Sequence, residues 1–267
     1  MKQLKKTAIV LVGCYLFITA FMFLLQEKLI FLPTQLPQDY VYNFERPYDE
    51  FFIETADGAR LNALRFTLDN PKGIVLYYHG NAGDLSRWGE ITSYFLQFDY
   101  EVLVMDYRTY GKSTGTLGEV QLYKDASLFY DKAMEWFPEH QIIVYGRSLG
   151  SAFATHVASR NNPKQLVLES PFLSLEAIAK KRYWFLPVKP MLKYRFPTSE
   201  KIKEVKSPIT IFHGTDDGVV PYENGKMLQE IPSETICKLV TIPKGSHNDL
   251  INFSEYHEEI RALFKDE

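Results

Sequence analysis

Cysteine is nearly absent from this chain of 267 residues. The two present, Cys14 and Cys237, stand far apart, so no disulfide framework holds the fold and stability has to come from a buried core. An excess of charge of one sign is missing as well. A formal net charge of −3 with 24% charged residues gives no global bias toward nucleic acid. Recognised metal-ligand spacings are also lacking, which leaves a site built from His79, Asp106 and His213 as the minor alternative for any chemistry here. What is abundant is apolar: 46% hydrophobic residues suffice for one domain with a substantial core and a short extension.

The extension is at the start. Lys2, Lys5 and Lys6 precede Thr7 to Leu25, 19 residues without a charge. As a helix that run spans roughly 28 Å, close to the ~30 Å hydrocarbon core of a bilayer. It ends in Phe21-Met22-Phe23-Leu24-Leu25 rather than the small residues of a cleavage site. We read residues 1–6 as a cytoplasmic N-terminus, 7–25 as an uncleaved transmembrane signal anchor and 26–49 as an ordered connector. Three lysines before the run, against Glu27, Lys28 and Asp39 after it, put the folded domain on the exoplasmic side, periplasmic or lumenal. The rival is a lipoprotein: Leu11-Val12-Gly13-Cys14 has the form of a lipobox that would leave Cys14 lipidated, although Tyr15 to Leu25 continues the apolar run.

From residue 50 the pattern changes to alternating strands and helices. Phe51–Thr55 and Leu61–Leu68 flank the turn Ala56-Asp57-Gly58 and predict a hairpin. Mostly apolar runs at Gly73–Tyr78, Glu101–Met105, Ile142–Tyr145, Gln165–Leu168, Pro208–Phe212 and Cys237–Ile242 read as strands of a mostly parallel sheet, the first of them apolar throughout. Helical spacing between them, at Asp84–Phe98, Val120–Phe137 and Leu149–Arg160, supplies the crossovers. In such a sheet the active residues gather at the carboxyl ends of the strands.

One strand end stands out. Ile142–Tyr145 runs directly into Gly146-Arg147-Ser148-Leu149-Gly150, a G-x-S-x-G turn entering a helix. Such a turn needs small residues where the backbone doubles back, and it lifts its serine clear of the sheet. Two other strand ends are glycine-rich or polar: His79-Gly80-Asn81-Ala82-Gly83, and Asp106 to Ser113. After Pro208–Phe212 come two adjacent carboxylates, Asp216 and Asp217, and after the last strand comes His247.

These motifs in this order resemble a serine hydrolase of the α/β-hydrolase fold. Within it they resemble the small membrane-anchored group of α/β-hydrolase domain-containing, prolyl-oligopeptidase-like proteins that carries His-Gly-Asn-Ala, Asp-Tyr-Arg-Gly-Tyr-Gly-x-Ser and Gly-x-Ser-x-Gly. The chain supplies His79 to Ala82, Asp106 to Ser113 and Gly146 to Gly150, with Thr109 where the group usually has glycine. The resemblance covers roughly residues 50–265 and implies an eight-stranded sheet with helices on both faces and a short helical cap. Its Gly-x-x-Asp-x-x-Val-Pro pattern, laid on Gly214 to Pro221, selects Asp217 over Asp216. Of six histidines, only His247 and His257 follow both Ser148 and Asp217, the chain order of this fold, and His257 falls in the final helix, at the wrong end for this site, which leaves His247.

The implied roles are Ser148 as nucleophile, His247 as general base and acid, and Asp217 as the group that orients the imidazole. The backbone N–H groups of Asn81 and Leu149 would form the oxyanion hole. Such chemistry requires neither metal nor organic cofactor. Residues 171–206 form the expected cap of the 50–267 domain, with Tyr183 and Trp184, and Tyr107 from the loop below, as candidate substrate contacts. Aromatic and basic residues interleave in the cap, which fits a face turned to an anionic bilayer and an acyl substrate. The expected activity is cleavage of a carboxylic ester or thioester. The alternatives are a peptidase or amidase with the same residues, or a catalytically silent scaffold of the same fold.

Overall fold

The apolar runs become the centre of one sheet because strands covered by helices on both faces can expose no polar side. In a computed structural model, which describes residues 1–232 and 236–265, the chain begins with helix α1 (Lys2–Ile30), strand β1 (Leu32–Pro33) and the antiparallel pair β2 (Tyr48–Glu54) and β3 (Arg60–Phe66). Then follow β4 (Gly73–Tyr78), the short β5 (Ala82–Gly83), α2 (Leu85–Thr92), β6 (Tyr100–Met105), α3 (Glu119–Met134), β7 (Ile142–Arg147), α4 (Gly150–Ala158) and β8 (Gln165–Glu169). The cap contains α5 (Leu175–Arg182), α6 (Val188–Met191) and α7 (Thr198–Lys201). The chain closes with β9 (Ile209–Gly214), α8 (Glu223–Gln229), β10 (Cys237–Ile242) and α9 (Ser254–Leu263).

Among the described residues eight strands form one sheet in the order β10-β9-β8-β7-β4-β6-β3-β2. All pairs are parallel except β2 with β3 and β3 with β6. The order reverses beside β4, between β7 and β6, and there the carboxyl ends of the strands open a crevice. One apolar layer packs α3, α4 and the turn after α7 on one face of the sheet, through Leu122, Phe129, Phe153 and Ile202 among others. A second covers the other face from α2, the turn that follows it and α9, with Trp88, Phe95, Tyr256 and Ile260.

The element edges follow local chemistry. Asp84 accepts from the N–H of Ser86 at 2.7 Å and caps α2, and Ser174 accepts from the N–H of Ala177 at 3.0 Å and caps α5; each such cap contributes about 1 kcal/mol. The helix expected over 84–98 tightens into a 3₁₀ turn at Ser93–Phe98, closed by Asp99 at φ 64°. The strand before Gly146-Arg147-Ser148 extends through Arg147, because β8 continues pairing with it as far as Glu169.

Helix α1 is long and apolar enough to cross a membrane, and no residue of its most apolar stretch is buried in the protein. It runs on past Leu25, where the hydrophobic run ends, so the connector expected from Gln26 begins at Phe31. Phe31 is buried against Tyr194 of the cap, with ring centroids 5.0 Å apart. Leu32 and Pro33 then pair in parallel with Ala82 and Gly83, and Gln35 bridges to Gly111. The 50–267 domain includes residues 233–235 and 266–267, which lie outside the described residues.

Candidate active site

Ser148 sits at the apex of the β7–α4 turn with φ 51°, a left-handed backbone that serine seldom adopts. The turn holds it there. Its N–H donates to the Glu169 carbonyl at 2.8 Å, and its own carbonyl accepts from the N–H of Ser151 at 2.9 Å and the Ser151 hydroxyl at 2.6 Å. Glycine is required on either side for want of space. A Cβ on Gly150 would overlap the Tyr78 carbonyl, and one on Gly146 would strike Ala154 and the Gly150 carbonyl.

Three loops meet over this serine. His247 Nε2 lies 2.9 Å from Ser148 Oγ, and His247 Nδ1 lies 2.7 Å from Asp217 Oδ2. Asp217 Oδ1 accepts from the N–H groups of Val219 and Val220 at 2.9 and 2.8 Å. Burial alone would raise the Asp217 pKa, but hydrogen bonds from His213 and His247 outweigh it and hold the carboxyl well below the usual range. Ionised at neutral pH, it accepts a hydrogen bond from Nδ1–H, which leaves Nε2 free to accept from the Ser148 hydroxyl. Asp216 faces solvent and accepts from the Thr215 hydroxyl at 3.1 Å.

Arg147, the variable position inside G-x-S-x-G, does more than fill the turn. Its Nε pairs with Glu169 at 3.1 Å, and its Nη2 donates to Asn248 Oδ1 at 3.2 Å and approaches the His247 carbonyl at 3.4 Å. Glu169 also accepts from the buried Tyr145 hydroxyl at 2.6 Å. The serine turn is thus tied to the histidine loop through one guanidinium, which an ion pair with Glu169 holds in place. No local pattern reveals this, because the partners lie about a hundred residues apart.

Asn81 and Leu149 line the same cavity as Ser148. Among the described residues no turn, loop or cap hydrogen bond takes up the N–H of either. The Asn81 loop is pinned from beneath and beside: its carbonyl accepts from the Tyr110 hydroxyl at 2.7 Å and the Leu32 N–H at 2.9 Å, and its side-chain amide donates to the Ile30 carbonyl at 3.2 Å. His79 lies below, stacked on Trp88, with Nε2 3.5 Å from Asp106. Burial pushes the Asp106 carboxyl up to about 6 against the opposing pull of His79.

The cavity holds about 390 Å³, within the usual range for small-molecule sites. Tyr183 lines it, together with Phe172, Ile178 and Leu186. Two sequence-based expectations are corrected. Trp184 is 81% exposed and points away from the cavity lining, and Tyr107 is only 1% exposed. The Tyr107 hydroxyl donates to the His79 carbonyl at 2.7 Å, so this ring supports the Asn81 loop from inside the core. His213 faces Val220 and Asp217, apart from the His79–Asp106 pair. Among the described residues no three His, Cys, Asp or Glu side chains converge as metal ligands.

Comparison with known proteins agrees with this architecture. An uncharacterized protein of Mycobacterium tuberculosis is 32% identical over 232 residues, covering 84% of this chain and 81% of that protein. The α/β hydrolase domain-containing protein 17B of Xenopus tropicalis is 29% identical over 229 residues, 81% of this chain and 75% of that protein. An esterase of Pyrococcus furiosus superposes with a TM-score of 0.67 at 19% identity, covering 88% of this chain and 97% of the esterase. Fold and relatives define the α/β hydrolases as the class. Within that class the chain belongs to the family described as serine aminopeptidase, S33, whose model matches residues 69–203.

Proposed function

We propose that this chain is a membrane-anchored serine hydrolase that cleaves an acyl ester or thioester through an acyl-Ser148 intermediate. The observation that carries the reading is the relay Ser148–His247–Asp217, with distances of 2.9 and 2.7 Å, at an apolar cavity. His247 takes the proton of Ser148 as Oγ attacks the acyl carbonyl. The N–H groups of Asn81 and Leu149 bind the developing oxyanion, a contribution worth about 10²- to 10³-fold in rate per donor in comparable sites. Collapse of the intermediate expels the alcohol or thiol, which takes the proton from His247. Water then hydrolyses the acyl-serine by the same route, while Asp217 stays ionised and orients the imidazole.

The family description names an aminopeptidase, and an aminopeptidase must hold the α-ammonium group of its substrate. Among the described residues no carboxylate side chain lines the cavity, and Arg182 is its charged member. That lining favours an acyl group over a peptide N-terminus. The esterase named among the structural neighbours supports the same choice. We place α1 across a bilayer, with residues 1–6 in the cytoplasm and the hydrolase domain on the exoplasmic side.

A panel of p-nitrophenyl esters, acyl thioesters and aminoacyl p-nitroanilides tests the assignment on the full chain in detergent. Esters and thioesters are expected to turn over, with Ser148→Ala losing at least about 10³-fold in kcat. Faster turnover of aminoacyl anilides than of any ester would overturn the substrate class.

A further inference from the structure

The cavity above Ser148 is not closed by the cap alone. Met22, Gln26, Leu29 and Ile30 of α1 line it too, and their spacing puts them on one face of the helix. The helix is fixed against the cap by specific bonds. The Gln26 side-chain amide donates to the Met191 carbonyl at 3.1 Å, and its Oε1 accepts from the Lys193 N–H at 2.8 Å. The Tyr194 hydroxyl donates to Glu27 at 3.0 Å, and the Lys193 ammonium lies 5.4 Å from the centre of the Phe23 ring. Gln26 is buried by these contacts although it follows directly on a membrane-length apolar run. A helix serving only as a tether would need none of them.

We infer that the last turns of α1 form one wall of the acyl pocket, and that the acyl chain of the substrate reaches Ser148 from the bilayer by passing along them. The inference rests on the serine-hydrolase reading above and names where its substrate resides. Met22 belongs to the apolar run ending at Leu25, whereas Ile30 accepts a hydrogen bond from Asn81, one of the two proposed oxyanion donors. Between them lie two helical turns, roughly 12 Å. One end of the cavity therefore stands at the level where the membrane-length run stops, and the other at the nucleophile.

The lining along this path is apolar apart from Gln26, Asn81, Ser148, Arg182 and Tyr183. An acyl chain moving from lipid into such a groove exchanges one apolar environment for another, whereas a route through water would expose every methylene. Trp184 and Phe185, both exposed, sit in sequence between Tyr183 and Leu186 of the cavity wall. Aromatic side chains at such a rim favour the boundary between water and lipid. Met22 and Leu29 are then residues that set chain-length preference. Leu29 is 50% exposed, so a larger ring can enter the groove from that position without breaking the core.

The test uses the full chain in phospholipid nanodiscs and compares kcat/KM for p-nitrophenyl palmitate and p-nitrophenyl butyrate, normalised to the fraction labelled by a fluorophosphonate. Met22→Trp and Leu29→Trp are expected to lower the palmitate-to-butyrate ratio at least tenfold. Leu24→Trp, on the helix face turned away from the cavity, is expected to leave it unchanged. Phosphatidylcholine and an S-palmitoylated peptide, each presented in the disc, separate the two sources of a long acyl chain, and release of palmitate from either supports the route. An unchanged ratio in both cavity-facing variants, or an equal fall in Leu24→Trp, overturns the inference. Absence of wild-type turnover on both p-nitrophenyl esters would instead remove the hydrolase reading on which it rests.

Discussion

Of the six non-glycine residues in left-handed backbone among the described residues, Ser148 and Thr109 make the sharpest contrast. Ser148, at φ 51°, is held by hydrogen bonds from both sides, and its position over the strand ends depends on that geometry. Thr109, at φ 74°, has no such support. Its hydroxyl is buried and has no hydrogen-bond partner among the described residues. It occupies the position where the related group usually carries glycine. Left-handed backbone costs a residue with a Cβ about 1–2 kcal/mol, while glycine loses about 0.5–1 kcal/mol through the freedom of its unfolded chain. Thr109→Gly should therefore stabilise the protein by about 0.5–1 kcal/mol. In thermal denaturation of the detergent-solubilised chain we expect a midpoint about 2 °C higher, and a lower midpoint would show that the threonine makes a contact this account lacks.

At the scale of elements, the segment after α1 is joined to the loop proposed to bind the oxyanion. The Leu32 N–H donates to the Asn81 carbonyl at 2.9 Å and lies 3.2 Å from the Tyr110 hydroxyl. Phe31 before it is extended, at φ −108° and ψ 123°, a conformation that tolerates a following proline. Leu32→Pro thus removes a donor without breaking the chain path. If the Asn81 N–H serves the oxyanion, loosening its loop should lower kcat by about tenfold, part of the 10²–10³ that a whole donor carries. KM should change far less. Steady-state kinetics on a short ester checks this, and an unaltered kcat would uncouple the segment from catalysis.

The same elements show what a sequence can and cannot reveal. The central strands are legible because β4, β7 and β9 are runs of mostly apolar residues whose burial needs no distant information, and the hairpin β2–β3 is legible from its turn residues. The G-x-S-x-G turn is legible because both glycines answer to contacts within a few residues or with the adjacent strand β4. Gln26 and Glu27, by contrast, mark the end of an apolar run when read locally. Their partners Met191, Lys193 and Tyr194 lie more than 160 residues away, so the extension of α1 to Ile30 escapes any local reading. The cap hides its orientation for a related reason. Helices α5 and α6 are short and joined by Tyr183 to Pro187, so helical spacing does not tell that Tyr183 turns inward while Trp184 turns out.

Across the whole molecule, one apolar helix, one eight-stranded sheet among the described residues and one cap meet at a single cavity. The fold is that of the α/β hydrolases, and its sheet places the serine turn, the acid loop and the histidine loop at strand ends on one edge, as parallel topology requires. Helix α1 contributes to the same cavity, so that anchoring and substrate selection fall to one element in the reading proposed here. All of this depends on Ser148 being an activated nucleophile. The most direct measurement is intact-mass and peptide mapping of the full chain after reaction with a fluorophosphonate. The account predicts a single adduct on Ser148, absent from Ser148→Ala and strongly slowed in His247→Ala. Failure of the wild-type chain to form an adduct, or an equal adduct on Ser148→Ala, would contradict it.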